Sequence, residues 1–282
     1  MKSTVILVHT GTVFPSHIND CIKNTLMFNI DLHLILSKEL HSNVEYKDIK
    51  LINAEDYEDD NYQTYKILNH DINYKDNFWQ RASTRFFILN KYVNTNNVEN
   101  FFHIENDVLI FSDLISENET LKKMDHNMHI VIDSDTRSIP SIIWFRNKEI
   151  LNSLSTFIYS NNSNNDMRNI FLFYLNNKDK VSNFPILPTN LNLRYQSNLN
   201  YSNNYDKFNS IFDGAAIGQY LGGIDNTDDN TIGYISPDCI FDVSNFQYEW
   251  YGNIPYMVFD NKKIKINNLH IHSKKLKKFN EK

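Results

Sequence analysis

The chain has 282 residues, a formal net charge of −6, and 41% hydrophobic and 13% aromatic residues. That length can bury a large core, and 19 Phe with 16 Tyr exclude an intrinsically disordered chain. The acidic balance argues against a general nucleic-acid binder, and two cysteines, Cys21 and Cys239, exclude a disulfide scaffold and a four-thiolate zinc site.

Thr4 to Val8 is a continuous β-branched and apolar run, as a strand buried on both faces requires. It is too short for a leader peptide and reads as the first strand. No apolar run approaches the ~20 residues of a membrane helix, so a soluble cytoplasmic protein is the expectation. A helix is predicted over His17 to Phe28, with strands at Asp31 to Leu36 and Ile49 to Asn53. Phe78, Ala82, Phe86, Leu89 and Val93 follow helical spacing, with Asp76 or Asn77 as cap. Phe101 to Ile104 is a strand, and Val108 to Phe111 resumes apolar character after a polar break. Further strands are expected at His129 to Asp133 and Ser141 to Phe145, then helices at Glu149 to Tyr159 and Asp166 to Leu175. The stretch from 176 to 209 reads as long loops around short strands. Asp213 to Gly223 reads as a short helix capped by Asp213 and ended by Gly222 or Gly223. Leu269 to His272 is a last strand before a basic tail. Strands alternating with helices predict an α/β chain with a mainly parallel sheet, and no linker divides it.

Four segments can carry chemistry. Glu105 and Asp107 flank Asn106 at the polar break between two apolar runs. Paired carboxylates at a strand end suit a hard cation such as Mg²⁺ or Mn²⁺, and ligands in parallel sheets bind beyond the carboxyl ends of strands. A solvated turn accounts for the same acids. Arg81 and Arg85 stand four apart on one helix face, where paired guanidinium groups can grip phosphate; an exposed helix face is the plain alternative. His270 and His272 share a face of a strand and precede Lys274, so an imidazole can ligate a metal and an ammonium can neutralise a diphosphate. Gly214, Gly218, Gly222 and Gly223 crowd one short helix behind Asp213, which lets a neighbour approach its backbone.

Taken in this order, the segments resemble a glycosyltransferase of the GT-A fold. Thr10-Gly11-Thr12 after the first strand resembles the loop that holds a nucleotide base and ribose. The helix bearing Arg81 and Arg85 resembles the one before the metal strand, and Glu105-Asn106-Asp107 resembles the DxD motif with Glu in first place. Asp166 and the Asp213 to Gly223 segment resemble acceptor-side and sugar-side elements, and Leu269 to Lys274 resembles the C-terminal His motif. The combination is similar to transferases of microbes and large DNA viruses. The resemblance implies one GT-A domain over 1–282, a Rossmann-like mixed, mainly parallel sheet flanked by helices. Residues 1–135 would form its nucleotide-binding half and 136–282 its acceptor-side half.

It further implies transfer of a sugar from a nucleoside-diphosphate sugar, UDP-linked by preference, to a hydroxyl of a glycan or protein. Asp107, Glu105 and His272 would hold Mn²⁺ or Mg²⁺; Thr10, Gly11, Thr12, Arg81, Arg85, Glu105, Asn106 and Lys274 would bind the donor. Asp213 or Asp225 would lie at the reacting centre, as general base if the enzyme inverts. Tyr201, Tyr205, Tyr248, Trp250 and Tyr251 can form a sugar-stacking rim or be ordinary core aromatics. An apolar strip on the 149–159 helix can serve a homodimer. A nucleotidyltransferase and a non-catalytic carbohydrate- or protein-binding module of the same fold are the competing readings; Gly11 stands nearly alone in the first loop, without the former's glycine-rich signature.

Overall fold

The computed structural model describes residues 2–68, 78–190, 192–225 and 229–280. The chain order is β1 (Thr4–Val8), α1 (His17–Leu26), β2 (Asp31–Leu36), β3 (Lys50–Asn53), α2 (Asp60–Leu68), α3 (Phe78–Asn96), β4 (Phe101–Ile104) and β5 (Val108–Ile110). Then come α4 (Leu114–Lys122), β6 (Met128–Ser134), β7 (Arg137–Phe145), α5 (Lys148–Ser160), α6 (Asp166–Asn176), β8 (Val181–Asn183), α7 (Tyr205–Phe208), β9 (Ser210–Ile211) and α8 (Ala216–Gly222). The last elements are β10 (Gln247–Tyr251), β11 (Ile254–Phe259), β12 (Lys262–Ile266), β13 (Asn268–His270) and α9 (Lys277–Asn280).

The main sheet runs β3-β2-β1-β4-β7-β6-β8. β1 pairs in parallel with β2 and β4, β2 with β3, and β6 with β8; only β7 runs against its neighbours. The mixed, mainly parallel sheet flanked by helices is thus the architecture expected from the sequence. β1 is central, so Val5, Ile6 and Leu7 are wholly buried, which is why the run lacks polar alternation. The carboxyl ends of β1, β4 and β6 lie on the same edge, because β6 and β4 both run against β7.

Several local expectations change. The 141–145 strand begins at Arg137 and forms a hairpin with β6, closed by a tight turn at 134–137. A division at 135/136 falls inside that turn, and one hydrophobic core is continuous across it. The structure adds the α2 and α4 helices and the β10–β12 meander; α2 buries only Tyr62 and Tyr65 and carries a weak apolar stripe. β13 stops at His270 rather than His272. The α3 cap at Asp76 or Asn77 lies outside the described residues. The α5 helix turns Ile150, Leu151, Leu154 and Ile158 into the core, packed on α3 and α6, so its apolar strip is not a free surface. Tyr201 is fully buried and donates to Asp135 at 2.6 Å, which removes it from any sugar-stacking rim. No described helix is long and apolar enough to cross a membrane.

Candidate active site

The chain leaves β4 at Ile104 and turns through Glu105, Asn106 and Asp107, closed by the Val108 amide on the Glu105 carbonyl at 3.2 Å. β5 then pairs antiparallel with β13, setting His270 opposite Val108. This short ribbon brings the C-terminal segment to the acidic turn. Asp107 accepts from His270 Nε2 at 3.1 Å, and Lys274 Nζ is ion-paired to the same oxygen. His270 Nε2 is also 3.4 Å from Glu105 Oε2. One ligand atom each from Glu105, Asp107 and His270 lie within 4.8 Å of one another.

Behind this cluster stands Arg85. It is buried, donating from Nη1 to Glu105 Oε1 at 2.5 Å and from Nη2 to Asp166 Oδ2 at 2.7 Å. Its guanidinium is therefore committed to two carboxylates rather than turned toward a phosphate. Asp166 enters at the start of α6, whose Asn165 cap accepts from the Arg168 amide at 2.9 Å. Arg85 Nε and Asp166 Oδ1 are buried without a hydrogen-bond partner among the described residues. Arg81, one turn earlier, is different. It forms no salt bridge among the described residues, and its carbonyl accepts from Thr10 Oγ1 at 3.1 Å, tying the loop after β1 to α3.

The electrostatics follow from this packing. Burial raises the Asp107 pKa, but the charges of His270 and Lys274 outweigh it and hold the carboxyl well below its usual range. Burial also raises Glu105, and Arg85 overcomes that and lowers it. Burial would lower His270, yet Asp107 and Glu105 push it up to about 9. Three carboxylates (Glu105, Asp107, Asp166) thus face three cations (Arg85, His270, Lys274). A buried cluster of this kind needs such balance, because an unpaired buried charge is costly.

The donor set fits a divalent cation. Two carboxylates and one imidazole converge, and the outer partners orient them. His270 Nδ1 donates to the Gly214 carbonyl at 2.8 Å, which points Nε2 at the carboxylates. Asp213 builds the platform beneath: its Oδ1 accepts from the Ile217 amide at 3.0 Å, and its Oδ2 from Gly218 at 2.9 Å and from the His270 amide at 3.1 Å. Both oxygens are occupied by backbone N–H groups, and the residue is buried; burial raises its pKa to about 6.

The structure places the remaining expected residues unevenly. The nitrogen among the carboxylates belongs to His270, not His272. The His272 ring packs 4.4 Å from that of His270, and its Nδ1 accepts from Gln219 Nε2 at 2.8 Å, which leaves the proton on Nε2. Both imidazoles lie near the cluster because β13 ends between them. Asn106 does not face outward alone; its amide is held between His9 and His17. Gly11 packs under the His9 ring and Thr12 is exposed. Asp225 is exposed beyond the end of α8. The pairing of Asp166 with Arg85 and the placement of His9 and His17 had no local sequence signal beyond residue type.

No protein-family model matches the chain, and no curated protein matches it in sequence. Among solved structures it is similar to mouse xyloside xylosyltransferase 1 in its apo form. The identity is 7% and the TM-score 0.47, over 66% of this chain and 86% of that one. It is also similar to the UTP-bound UGPase of Acinetobacter baumannii, with 11% identity and a TM-score of 0.36 over 65% and 85%. Likenesses at this level carry neither a reaction nor a ligand over to this chain.

Proposed function

We propose that this protein is a metal-dependent glycosyltransferase that moves a sugar from a nucleoside-diphosphate sugar, UDP-linked by preference, to a hydroxyl of a glycan or protein. The observation that carries the reading is the convergence of Glu105, Asp107 and His270 at the carboxyl end of β4, with Lys274 on the same oxygen as His270. Mn²⁺ or Mg²⁺ bound there would act as a Lewis acid on the diphosphate leaving group. Lys274 would exchange its contact with Asp107 for a phosphate oxygen and help offset the charge developing in the transition state. Arg81, unlike Arg85, would face a ligand held by the Thr10-Gly11-Thr12 loop, which is supported by the bond from Thr10 Oγ1 to its backbone carbonyl.

In this reading Arg85 fixes Glu105 and neutralises Asp166 behind the turn. Asp213 serves as scaffold for His270 rather than as the acceptor's base, since it is buried and both of its oxygens accept from backbone amides. A cytoplasmic setting goes with two cysteines that are both free and buried. The test is a thermal-shift screen of nucleotides and nucleotide sugars with and without Mn²⁺, because a ligand of the native state raises the melting temperature by mass action. A shift that needs one nucleoside diphosphate and Mn²⁺, and disappears in Asp107→Asn, supports the reading. No shift with any of them in a folded sample favours the binding module. Pyrophosphate release from a nucleoside triphosphate and a sugar phosphate favours the nucleotidyltransferase.

A further inference from the structure

Three polar side chains outside the donor set form a line across the acidic turn. His9 follows β1, His17 opens α1, and Asn106 sits between the two carboxylates. His9 Nε2 is 2.9 Å from the Val13 carbonyl, His9 Nδ1 is 3.2 Å from Asn106 Nδ2, and Asn106 Oδ1 is 3.3 Å from His17 Nε2.

The chemistry of these groups allows one polarity. A carbonyl only accepts, so His9 Nε2 must carry the proton and donate to Val13. Burial lowers the pKa of both imidazoles, so each ring is neutral at pH 7 and its second nitrogen is an acceptor. His9 Nδ1 must then accept, and the Asn106 amide must donate to it. That turns Asn106 Oδ1 to His17, whose Nε2–H donates. The line reads His17 to Asn106 to His9 to Val13, with a donor facing an acceptor at each of the three contacts. An amide between two such partners is fixed in rotation, whereas an amide on a solvated turn is not.

We propose that His9 and His17 are positioning residues: they clamp Asn106 and thereby fix the turn that sets the spacing of the Glu105 and Asp107 carboxylates. Asn106 is then a strut and not a ligand contact. The arrangement also explains Gly11. A Cβ there would lie 2.7 Å from His9 Cε1 and 2.8 Å from Nε2, so a larger residue would lever the imidazole off Asn106. The clamp further joins the loop after β1 to the acidic turn. The metal readout rests on the function proposed above; the structural readout does not.

The test compares His17→Met with His17→Gln in the full chain. The two side chains are similar in length, but only Gln presents an N–H near the position of Nε2. Amide exchange of the 105–108 turn is followed by NMR or mass spectrometry, and Mn²⁺ binding by calorimetry with the ion alone. In His17→Met the turn is expected to exchange about tenfold faster and Mn²⁺ affinity to fall about tenfold, the lower end of what losing an outer-shell partner costs. His17→Gln is expected to restore both. Wild-type exchange and affinity in His17→Met overturn the clamp, as does a His17→Gln variant that behaves like His17→Met. If the wild type binds no Mn²⁺, the proposed function falls while exchange at the turn still decides on the clamp.

Discussion

His270 Nε2 and Asp107 Oδ2 meet at 3.1 Å across 163 residues of sequence. Nothing local to either residue brings them together; the pairing of β5 with β13 does. Asp107→Asn keeps the size of the side chain and removes the charge that both His270 and a cation need. Mn²⁺ binding should disappear and turnover should fall on the order of 10³-fold, equivalent to several kcal/mol of lost charge stabilisation. Circular dichroism should show an unchanged fold. A fully active Asp107→Asn enzyme would sink the metal assignment.

The two arginines of α3 should separate cleanly. Arg85 is buried between Glu105 and Asp166, so Arg85→Ala strands the buried Asp166 and leaves Glu105 to its longer contact with His270. The expected loss is about 3–5 kcal/mol of stability, the usual effect of removing one partner from a buried ion pair. Arg81→Ala should leave stability nearly unchanged and weaken nucleotide binding. Denaturant titrations of the two variants, with nucleotide binding measured on Arg81→Ala, check both halves. Equal stabilities would contradict the buried role of Arg85.

How far could the sequence have been read? β1, β4 and the helix carrying both arginines were legible, because each has a strong period or a continuous apolar run. The Glu105–Asp107 turn was legible for the same reason: polar residues interrupt an otherwise apolar stretch. The rule that residues two apart share a strand face gave His270 and His272 equal standing. It could not show that β13 ends at His270, with the chain turning back through Lys274 at a φ of 60°. Nor could it show that Asp213 spends its carboxylate on three backbone amides, two of them in α8 and one at His270. Helix spacing put Arg81 and Arg85 on one face. The packing of α6 on β7 and α3, which brings Asp166 to Arg85, decided that one of them would be buried. These outcomes depend on pairings between distant segments, which local patterns do not encode.

Lys274 should oppose the bare ion yet assist the nucleotide. Its ammonium occupies the Asp107 oxygen that a cation would use. Its backbone is also left-handed, a conformation in which glycine is at ease. Lys274→Gly therefore removes the competing charge without backbone strain. Affinity for Mn²⁺ alone should rise several-fold, by relief of like-charge competition. Affinity for a nucleoside diphosphate in saturating Mn²⁺ should fall about tenfold, as expected for a lost charge-assisted contact of ~1.4 kcal/mol. Calorimetric titrations with the ion alone and then with the nucleotide check both signs. A parallel fall in both affinities would place Lys274 outside this exchange.

The pH response of the metal-free protein should carry the signature of His270. Its folded pKa of about 9 lies above the ordinary 6.5. A raised pKa stabilises the fold fully below the unfolded value, and that contribution fades as pH rises through the folded one. The stability advantage of the wild type over His270→Gln should therefore be constant below pH ~6.5 and shrink toward pH ~9. Metal binding needs the neutral ring, so each Mn²⁺ should release about one proton at pH 7. Calorimetry in buffers of different ionisation enthalpy measures that proton directly. Release of none would mean that His270 does not ligate the ion.

Gly218 tests whether α8 is the platform of the site. A Cβ at this position would overlap the His270 carbonyl oxygen and lie 3.0 Å from Asp213 Oδ2. The obstacle is backbone, which cannot swing aside as a side-chain tip can. Gly218→Ala must push α8 away from β13, stretching the bonds from Asp213 to the Ile217 and Gly218 amides. The expected cost is about 1–3 kcal/mol of stability, as for other overpacked interiors. Mn²⁺ affinity should fall with it, because His270 moves with the strand. Gly222→Ala is the control on the same helix. There the Cβ meets the Phe279 ring at 3.3 Å, which can tilt, and alanine favours the helix. Gly222→Ala should keep wild-type stability and metal affinity; if Gly218→Ala does so too, the close packing of α8 on His270 does not support the site.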